Sequence, residues 1–337
     1  MELELKLQKN SGIYRGEVPF HEYFNSWYEI YKADSIMPIT LSRYKATEHL
    51  IKKFFGEQKI NEIKRADYQS FINEYGKQHA PSTVIEKNNI LKKCVQNALY
   101  DSVIEKDFTF NTVVVSNKNR KVKVDYMNVQ ELKRLTEYLL NHLDYHYSSN
   151  YMILTAIFTG ARIGEIMALT WKDINLNFKT ININKAWNYF KGGKFKETKT
   201  ESSNRIIPIN KTLVNVFKEL KNAKDPQKTD LLFTTQFGTI PSSNAVNKTL
   251  RKNMEKLDIN RKNFHFHSLC HSHVAYLLSQ GVDIYAIAKR LGHSDITTTT
   301  RTYAYLIDEL EKSNDEKIIS GLDLLVDKNV DTKTAIK

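Results

Sequence analysis

Three features are scarce or missing in this sequence, and each narrows the class of protein. It has only two cysteines, Cys94 and Cys270, which excludes a disulfide framework and fits a reducing compartment. No run approaches the roughly 18 apolar residues that a transmembrane helix needs. The N-terminus, MELELKLQKN, lacks the apolar core of a signal peptide. We therefore expect a soluble, cytoplasmic protein.

Positive charge, in contrast, is abundant. The 337 residues have a formal net charge of +12 and a pI of about 9.3, and 41% of them are hydrophobic, which is enough to bury a core. A basic surplus does not identify a fold, but it favours a polyanionic partner, either nucleic acid or an anionic membrane surface. Because no membrane or targeting segment is visible, nucleic acid is the favoured partner.

The spacing of apolar residues predicts a small helical bundle over residues 18–112. Aromatic and aliphatic residues recur there at helical spacing in four stripes. Gly56 and Gly76 are candidate helix ends, and Asp67 is a candidate N-cap. We interpret the aromatic residues of these stripes as core rather than as a cofactor site.

A basic segment follows the predicted bundle. SNKNRKVKV, residues 116–124, is polar and weakly periodic, so residues 113–125 are expected to form a linker. Two roles stay open for its charges: a solvated surface run, or contact with phosphates.

Residues 126–310 are predicted to form a second, larger domain. Asn128 and Glu131 have nearly the spacing of a capping box at a helix start. Residues 151–170 indicate a buried helix that is broken near Gly160, where glycine permits a change of chain direction.

The hydrophobic period then changes from helical to two. After Trp171, apolar and polar residues alternate, which predicts paired strands within residues 174–178, 181–184 and 205–209. Helical spacing returns after them. The expected fold class is therefore mainly α with a small antiparallel β-sheet, that is, α+β.

Four polar side chains of the second domain are candidates for phosphate chemistry. Arg162, in TGARIGEI, could grip a phosphate with two donors. Lys199, in ETKTESSNR, could swing an ammonium group towards a substrate. His293 follows Gly292 at a predicted helix end, and Tyr303 follows four threonines.

Together these residue types imply one reaction. A tyrosine hydroxyl can attack a phosphodiester and form a covalent ester. Arginine, lysine and histidine can stabilise the charge of the transition state without a metal, and lysine or histidine can give a proton to the leaving oxygen. The chain has 18 tyrosines, so residue type alone does not select Tyr303.

The stretch HSLCHSH, residues 267–273, offers a competing interpretation as a metal site. Together with the preceding His265, it supplies acceptable zinc ligands: His265, His267, Cys270, His271 and His273. However, two of these residues precede the predicted helix, and no second pair of cysteines could close a structural site. Zinc is therefore the less favoured interpretation.

The order of motifs resembles that of the tyrosine recombinases, the phage integrase family. TGARIGEI is followed by TKT in a hairpin, then H-x-L-x-H, then LGHS, then a tyrosine ten residues later. The resemblance covers roughly residues 18–310. It implies a helical core-DNA-binding domain over residues 18–112 and a catalytic domain over residues 126–310, which clamp duplex DNA from two faces.

The resemblance also implies roles for the polar residues. Arg162 would be the first catalytic arginine, with Glu165 at a supporting acidic position. Lys199 would be the hairpin lysine and a general acid. His267 would open the second motif, and His293 would contact the phosphate or the nucleophile.

Tyr303 would be the nucleophile, with Tyr305 as its nearest rival. One catalytic position departs from the family pattern, because Cys270 stands where H-x-L-R-H has an arginine. A cysteine does not supply a fixed, forked cation, so impaired cleavage is expected. His271 is interpreted as a packing residue.

The expected function is site-specific DNA recombination by a mobile-element or phage enzyme. Strands would be cut and rejoined through a 3′-phosphotyrosyl intermediate, with neither a nucleotide cofactor nor a metal. The expected partners are double-stranded DNA at core recombination sites and further copies of the chain, from dimer to tetramer, with no membrane. Two alternatives stay open: a DNA-binding protein of the same fold that does not cut, and a His/Cys metal-binding regulator.

Both ends of the chain carry separate expectations. MELELKLQ resembles the end of a helix, so residues 1–17 are interpreted as the remnant or end of an N-terminal arm region, with a new short helix or a disordered tail as the alternative. KIISGLDLLV, residues 317–326, is apolar enough to need a partner. The tail, residues 311–337, is expected to be exchanged between protomers or to pack on its own domain.

Overall fold

The computed structural model describes most of the chain, in two compact units, Met1–Lys123 and Val124–Lys337. The described residues are 16–33, 38–120, 125–188, 193–198, 200–224, 230–297, 299–303, 319–320 and 322. Several predicted features lie outside them: MELELKLQ, the end of the basic segment, Lys199, Tyr305 and nearly all of the tail.

The first unit is the predicted helical bundle. Its helices are α1 (Phe20–Tyr31), α2 (Pro38–Phe55), α3 (Arg65–Lys77) and α4 (Pro81–Tyr100). Their apolar stripes meet in a core rich in aromatic side chains, most of which contact one another edge-on or tilted and some of which stack. Such rings bury a large apolar area and supply most of the driving force for a bundle of this size.

The helix ends of this unit correct two predictions. Gly56 follows α2 with φ +57°, as expected for a helix stop. Asp67 is not the N-cap of α3, because that position is Lys64, whose backbone N–H donates to the Asp67 carboxylate at 2.9 Å. Gly76 lies inside α3 rather than ending it. A Cβ there would lie 2.0 Å from the carbonyl oxygen of Val115, so close packing explains this glycine.

The second unit is mainly helical. Its helices are α5 (Val129–Asn141), α6 (Ser149–Thr159), α7 (Ile163–Met167), α8 (Lys211–Ala223), α9 (Ser243–Lys256), α10 (Phe266–Ser279) and α11 (Ile284–Leu291). The capping box is confirmed, since Asn128 and Glu131 bond each other's backbone N–H groups at 2.9 Å. The break is also confirmed, since Gly160 ends α6 with φ +68°.

Short antiparallel strands complete this unit. Strands β1 (Ile174–Asn175), β2 (Thr180–Ile183) and β5 (Arg205–Pro208) form one sheet in the order β1-β2-β5. A separate hairpin pairs β3 (Lys185–Asn188) with β4 (Lys194–Glu197). A hairpin was expected near TKT, but neither of these strands was predicted. The predicted class, mainly α with small antiparallel sheets, is confirmed. Among the described residues no helix has the length and apolarity to cross a membrane.

Candidate active site

A buried carboxylate anchors the site. Glu165, on α7, is 4% exposed and receives hydrogen bonds from two arginines. Arg162 donates from its backbone N–H at 3.0 Å and from Nη1 at 2.8 Å, while Arg205 donates from Nη2 at 2.9 Å. Burial raises the pKa of Glu165, but the two guanidinium groups outweigh it and hold the pKa below its usual value. The carboxylate therefore stays ionised and fixes both arginines.

Arg205 was not identified as a site residue from the sequence. It begins β5, and besides Glu165 it donates from Nη1 to the carbonyl of Ser203 at 2.9 Å and from Nε to the carbonyl of Arg290 at 2.7 Å. Its side chain is 7% exposed. Arg205 thus ties the sheet to α7 and to the end of α11. The charged first residue of RIIPI, otherwise a strand pattern, was the available signal.

The end of α11 is the meeting point of these arginines. Arg162 Nη1 donates to the carbonyl of Leu291 at 3.3 Å, where the helix dipole favours a positive charge. Gly292 then turns the chain with φ +69°. A Cβ on Gly292 would lie 3.0 Å from Arg205 Nη1, so the glycine permits the close approach. The turn delivers His293 beside Arg162.

His293 lies in an electropositive environment. Its Nδ1 is 2.6 Å from the Thr299 hydroxyl, which fixes the orientation of the ring. Burial and the charges of Arg162 and Arg205 lower its pKa, so the ring is neutral at pH 7. A neutral imidazole can both accept and donate a hydrogen bond.

A cleft of about 480 Å³ opens over these groups. Arg162, Glu165 and His293 line it, together with residues of the β3–β4 hairpin and of the segment that follows β4. Lys199 belongs to that segment in sequence but lies outside the described residues. A guanidinium and an imidazole at one opening provide donors of the kind that bind a phosphate.

Tyr303 and His271 form a second part of the site. Tyr303 is 2% exposed, and its hydroxyl lies 2.7 Å from Nδ1 of His271 on α10. Burial lowers the pKa of His271 to about 4, and His267, His265 and His293 add to the effect. His271 was interpreted as a packing residue, and the structure adds that its ring contacts the hydroxyl of the expected nucleophile; its role stays a prediction. Its place one turn after His267 was the available signal.

Cys270 lies in an apolar cluster with Tyr303. The cluster also contains Val274, Leu278 and Leu291. Burial raises the pKa of the Cys270 thiol to about 11, although Arg162 opposes the shift. The thiol is therefore uncharged at pH 7 and offers a phosphate only a weak S–H donor.

His267 begins the first turn of α10 and is exposed. The surrounding protein and the charges of His265 and Arg162 lower its pKa. Its ring lies 5.0 Å from that of His271. Arg162 and His267 are thus close enough to influence each other electrostatically.

The zinc interpretation of HSLCHSH is not favoured. His273 is committed to structure: its Nδ1 bonds the carbonyl of Ile157 at 2.8 Å, and Arg290 donates to its Nε2 at 3.1 Å. Within the described ranges, the grouping of three potential metal ligands that converges is His21, Glu22 and Glu57 in the first unit. The His/Cys cluster does not form such a grouping there.

Comparisons with known proteins identify the family of the chain. Residues 114–309 match the Phage integrase family, and residues 19–76 match the phage integrase N-terminal SAM-like domain. The chain is 28% identical over 340 residues to an integrase of Staphylococcus phage L54a, covering 93% of this chain and 96% of that protein. It is 26% identical over 336 residues to the ICEBs1 integrase of Bacillus subtilis, covering 94% and 88%.

Solved structures show the same fold. A Tn1549 transposon integrase in complex with a circular intermediate DNA superposes with a TM-score of 0.73 at 19% identity, over 88% of this chain and 99% of that one. A lambda integrase dimer bound to a COC′ core site gives 0.64 at 15% identity, over 89% and 80%.

The fold of the two units is that of the core-binding and catalytic domains of tyrosine recombinases. Because the family match spans more than half of the sequence, the chain belongs to the phage integrase family. Its class of activity is site-specific DNA recombination, the cutting and rejoining of DNA strands.

Proposed function

We propose that this chain cuts and rejoins DNA through a 3′-phosphotyrosyl intermediate on Tyr303. The supporting observation is the convergence at the end of α11. Arg162 bonds the carbonyl of Leu291, the Leu291 side chain packs in the cluster that holds Tyr303, and His293 follows two residues later. A guanidinium that can donate hydrogen bonds to a phosphate and the proposed nucleophile are thereby held by one short stretch of backbone.

Each group has a distinct role in this proposal. Arg162, held by Glu165, binds a non-bridging oxygen of the phosphate, and His293 and His267 stabilise the charge that develops there. Tyr303 attacks phosphorus as the 5′ oxygen leaves. Lys199 gives that oxygen its proton. The chain's own side chains supply these steps, with no metal or nucleotide cofactor in the scheme.

Cys270 weakens this chemistry without removing it. The position carries a forked cation in the family pattern, whereas the thiol here is buried and neutral. DNA binding depends on many phosphate contacts, so it tolerates the loss of one. Cleavage depends on a few groups at the reacting phosphate, so it does not tolerate the loss of one of them. We expect slow cleavage with nearly normal binding.

Double-stranded DNA and further copies of the chain are the proposed partners. The related lambda integrase structure is a dimer bound to a DNA core site, and the net charge of +12 suits a polyanion. Residues 18–112 contact core DNA, residues 113–125 link them to the catalytic residues 126–310, and residues 311–337 act between protomers. A cytoplasmic location stays a prediction.

Covalent trapping tests the proposed chemistry. In a DNA substrate with a nick beside the cleavage site, cutting releases a short fragment that carries the new 5′ hydroxyl. Because this fragment diffuses away, rejoining is prevented and the protein–DNA adduct accumulates. Tyr303→Phe should abolish the adduct, because the attacking oxygen is removed. The matched change, Tyr305→Phe, should leave it. Adducts that survive the first change and vanish with the second would transfer the role to Tyr305.

A further inference from the structure

The hydroxyl of the expected nucleophile, Tyr303, lies against the imidazole of His271. Nδ1 of His271 and the tyrosine oxygen are 2.7 Å apart, near the short end of the range for hydrogen bonds. Tyr303 is 2% exposed, and His271 is half-buried on α10. The phenol therefore meets an imidazole in a largely dry environment, where a polar contact is strengthened.

His271 is in the protonation state that accepts a proton. Burial and three neighbouring histidines lower its pKa to about 4, so the ring is neutral at pH 7. A neutral imidazole has one N–H and one free lone pair. With the hydrogen on Nε2, Nδ1 accepts the hydrogen bond from Tyr303. A negative phosphate close by raises the proton affinity of the ring, so its basicity increases when DNA is bound.

The neutral thiol at position 270 gives a proton acceptor at Tyr303 a larger share of the work. A cation at that position would stabilise the phenolate directly and make Tyr303 more acidic. Cys270 packs in the same apolar cluster as Tyr303 and supplies no charge. A phenol in apolar surroundings keeps its proton unless an acceptor is in contact, and His271 is in contact.

We propose that His271 receives the phenolic proton when Tyr303 attacks the phosphate and returns it when the strand is rejoined. This role rests on the proposed function. During cleavage the tyrosine oxygen bonds to phosphorus, the bond from phosphorus to the 5′ oxygen breaks, and the phenolic proton moves to Nδ1. The leaving oxygen takes its proton from Lys199. During rejoining the 5′ hydroxyl attacks, the tyrosyl ester breaks, and the imidazolium protonates Tyr303.

Two substitutions separate proton transfer from packing. In His271→Asn the side-chain oxygen replaces Nδ1 as a hydrogen-bond acceptor but does not carry a proton. In His271→Ala a cavity remains that free imidazole can fill. The matched control is His142→Asn, because exposed His142 also bonds through Nδ1, to the carbonyl of Tyr138 at 2.8 Å.

Adduct formation on the nicked DNA is measured under single-turnover conditions, with the full chain in its Cys270 form and in a Cys270→Arg form. Both His271 variants should cut about 10²- to 10⁴-fold more slowly than their parents, the usual contribution of a general base. DNA affinity and the His142→Asn rate should be unchanged. Imidazole should restore His271→Ala but not His271→Asn, and the restored rate should follow the neutral fraction of imidazole.

A sulfur substitution distinguishes the two proton transfers. When sulfur replaces the leaving 5′ oxygen, departure needs no proton, so defects in leaving-group protonation are relieved. Lys199→Ala should recover on this substrate, whereas the His271 variants should not. Full recovery of His271→Asn would overturn the proposal, because it would place His271 on the leaving-group side.

Other outcomes also contradict the role. Cleavage by His271→Asn at the parental rate shows that no proton passes to residue 271. Failure of imidazole to restore a folded, DNA-binding His271→Ala protein has the same meaning. Two other outcomes overturn the proposed function itself. One is that adducts persist in Tyr303→Phe, and the other is that neither the Cys270 chain nor the Cys270→Arg variant forms adducts.

Discussion

Placing an arginine at position 270 is the most direct test of the proposal that Cys270 occupies a catalytic position. Cys270 lies on α10 and packs against Val274, Leu291 and Tyr303. An arginine there has an apolar stem that can follow this cluster while its guanidinium extends towards Arg162 and the cleft. The added volume strains the cluster by about 1–3 kcal/mol, a cost that a domain with about 5–15 kcal/mol of stability survives.

The gain in catalysis should be much larger than the gain in binding. A charged stabiliser of a transferring phosphoryl group is worth on the order of 10³–10⁵ in rate. One phosphate contact among many changes affinity by roughly tenfold. Allowing for imperfect packing, Cys270→Arg should raise cleavage by at least roughly a hundredfold, or about 2.7 kcal/mol of activation free energy, with little change in affinity.

Single-turnover cleavage and equilibrium binding must be measured side by side on the same DNA. Cys270→Gln is the matched control, because it adds polar bulk without charge, and it should not raise cleavage. Cys270→Lys adds a positive charge without the planar guanidinium that can donate two parallel hydrogen bonds, so its cleavage rate should lie between those of the glutamine and arginine variants. Equal cleavage by the cysteine and arginine forms would show that position 270 does not face the reacting phosphate.

Three further changes test the frame around the site. Glu165→Gln should destabilise the chain by about 3–5 kcal/mol because buried Arg205 loses its counter-charge. Denaturant titrations at several pH values measure this loss in the free energy of unfolding. Because the pKa of Glu165 is lowered, the loss should be complete above the ordinary glutamate pKa and should shrink as the pH falls through the lowered value. A loss that does not change with pH would contradict the argument. Gly160→Ala should lower the free energy of unfolding more than the control Gly238→Ala. The two glycines have similar φ values, +68° and +73°, but of these two only Gly160 would place the new Cβ against a neighbour, at 2.7 Å. Equal losses would refute the steric argument. Deleting residues 315–337 should weaken assembly on paired DNA sites more than binding to a single site, and equal losses would argue against exchange of the tail.

Features carried by neighbouring residues could be predicted from the sequence. Asn128 and Glu131 lie three positions apart, and their capping box needs no other part of the chain. Gly160 interrupts a strongly apolar run, and its positive φ follows from the residue type. The error at Asp67 has the same local origin, since an aspartate is as favourable in the first turn of a helix as at its N-cap.

Features that depend on tertiary contacts could not be predicted in this way. Arg205 and Glu165 are 40 positions apart, and His271 and Tyr303 are 32 apart. Sequence spacing carries no information on which charged groups will meet, because the contact is created by the packing of α7, α10 and the sheet. The family resemblance supplied positions for the expected catalytic set, but it did not supply the hydrogen bond at Tyr303.

The arginines near the site differ in what they can offer a phosphate. Arg205 gives its donors to Glu165, Ser203 and Arg290, and Arg290 gives its own to His273 and to carbonyls of β5 and α6. A nearby positive charge helps a transition state only if its donors can turn to the developing charge. These two guanidinium groups are held by the protein, so neither is expected to take the role that an arginine at position 270 would have. Arg162, by contrast, is 38% exposed at its side chain and lines the cleft, so its guanidinium is placed to meet a phosphate there. The proposals for Cys270 and His271 rest on this difference between one open guanidinium and two that are held.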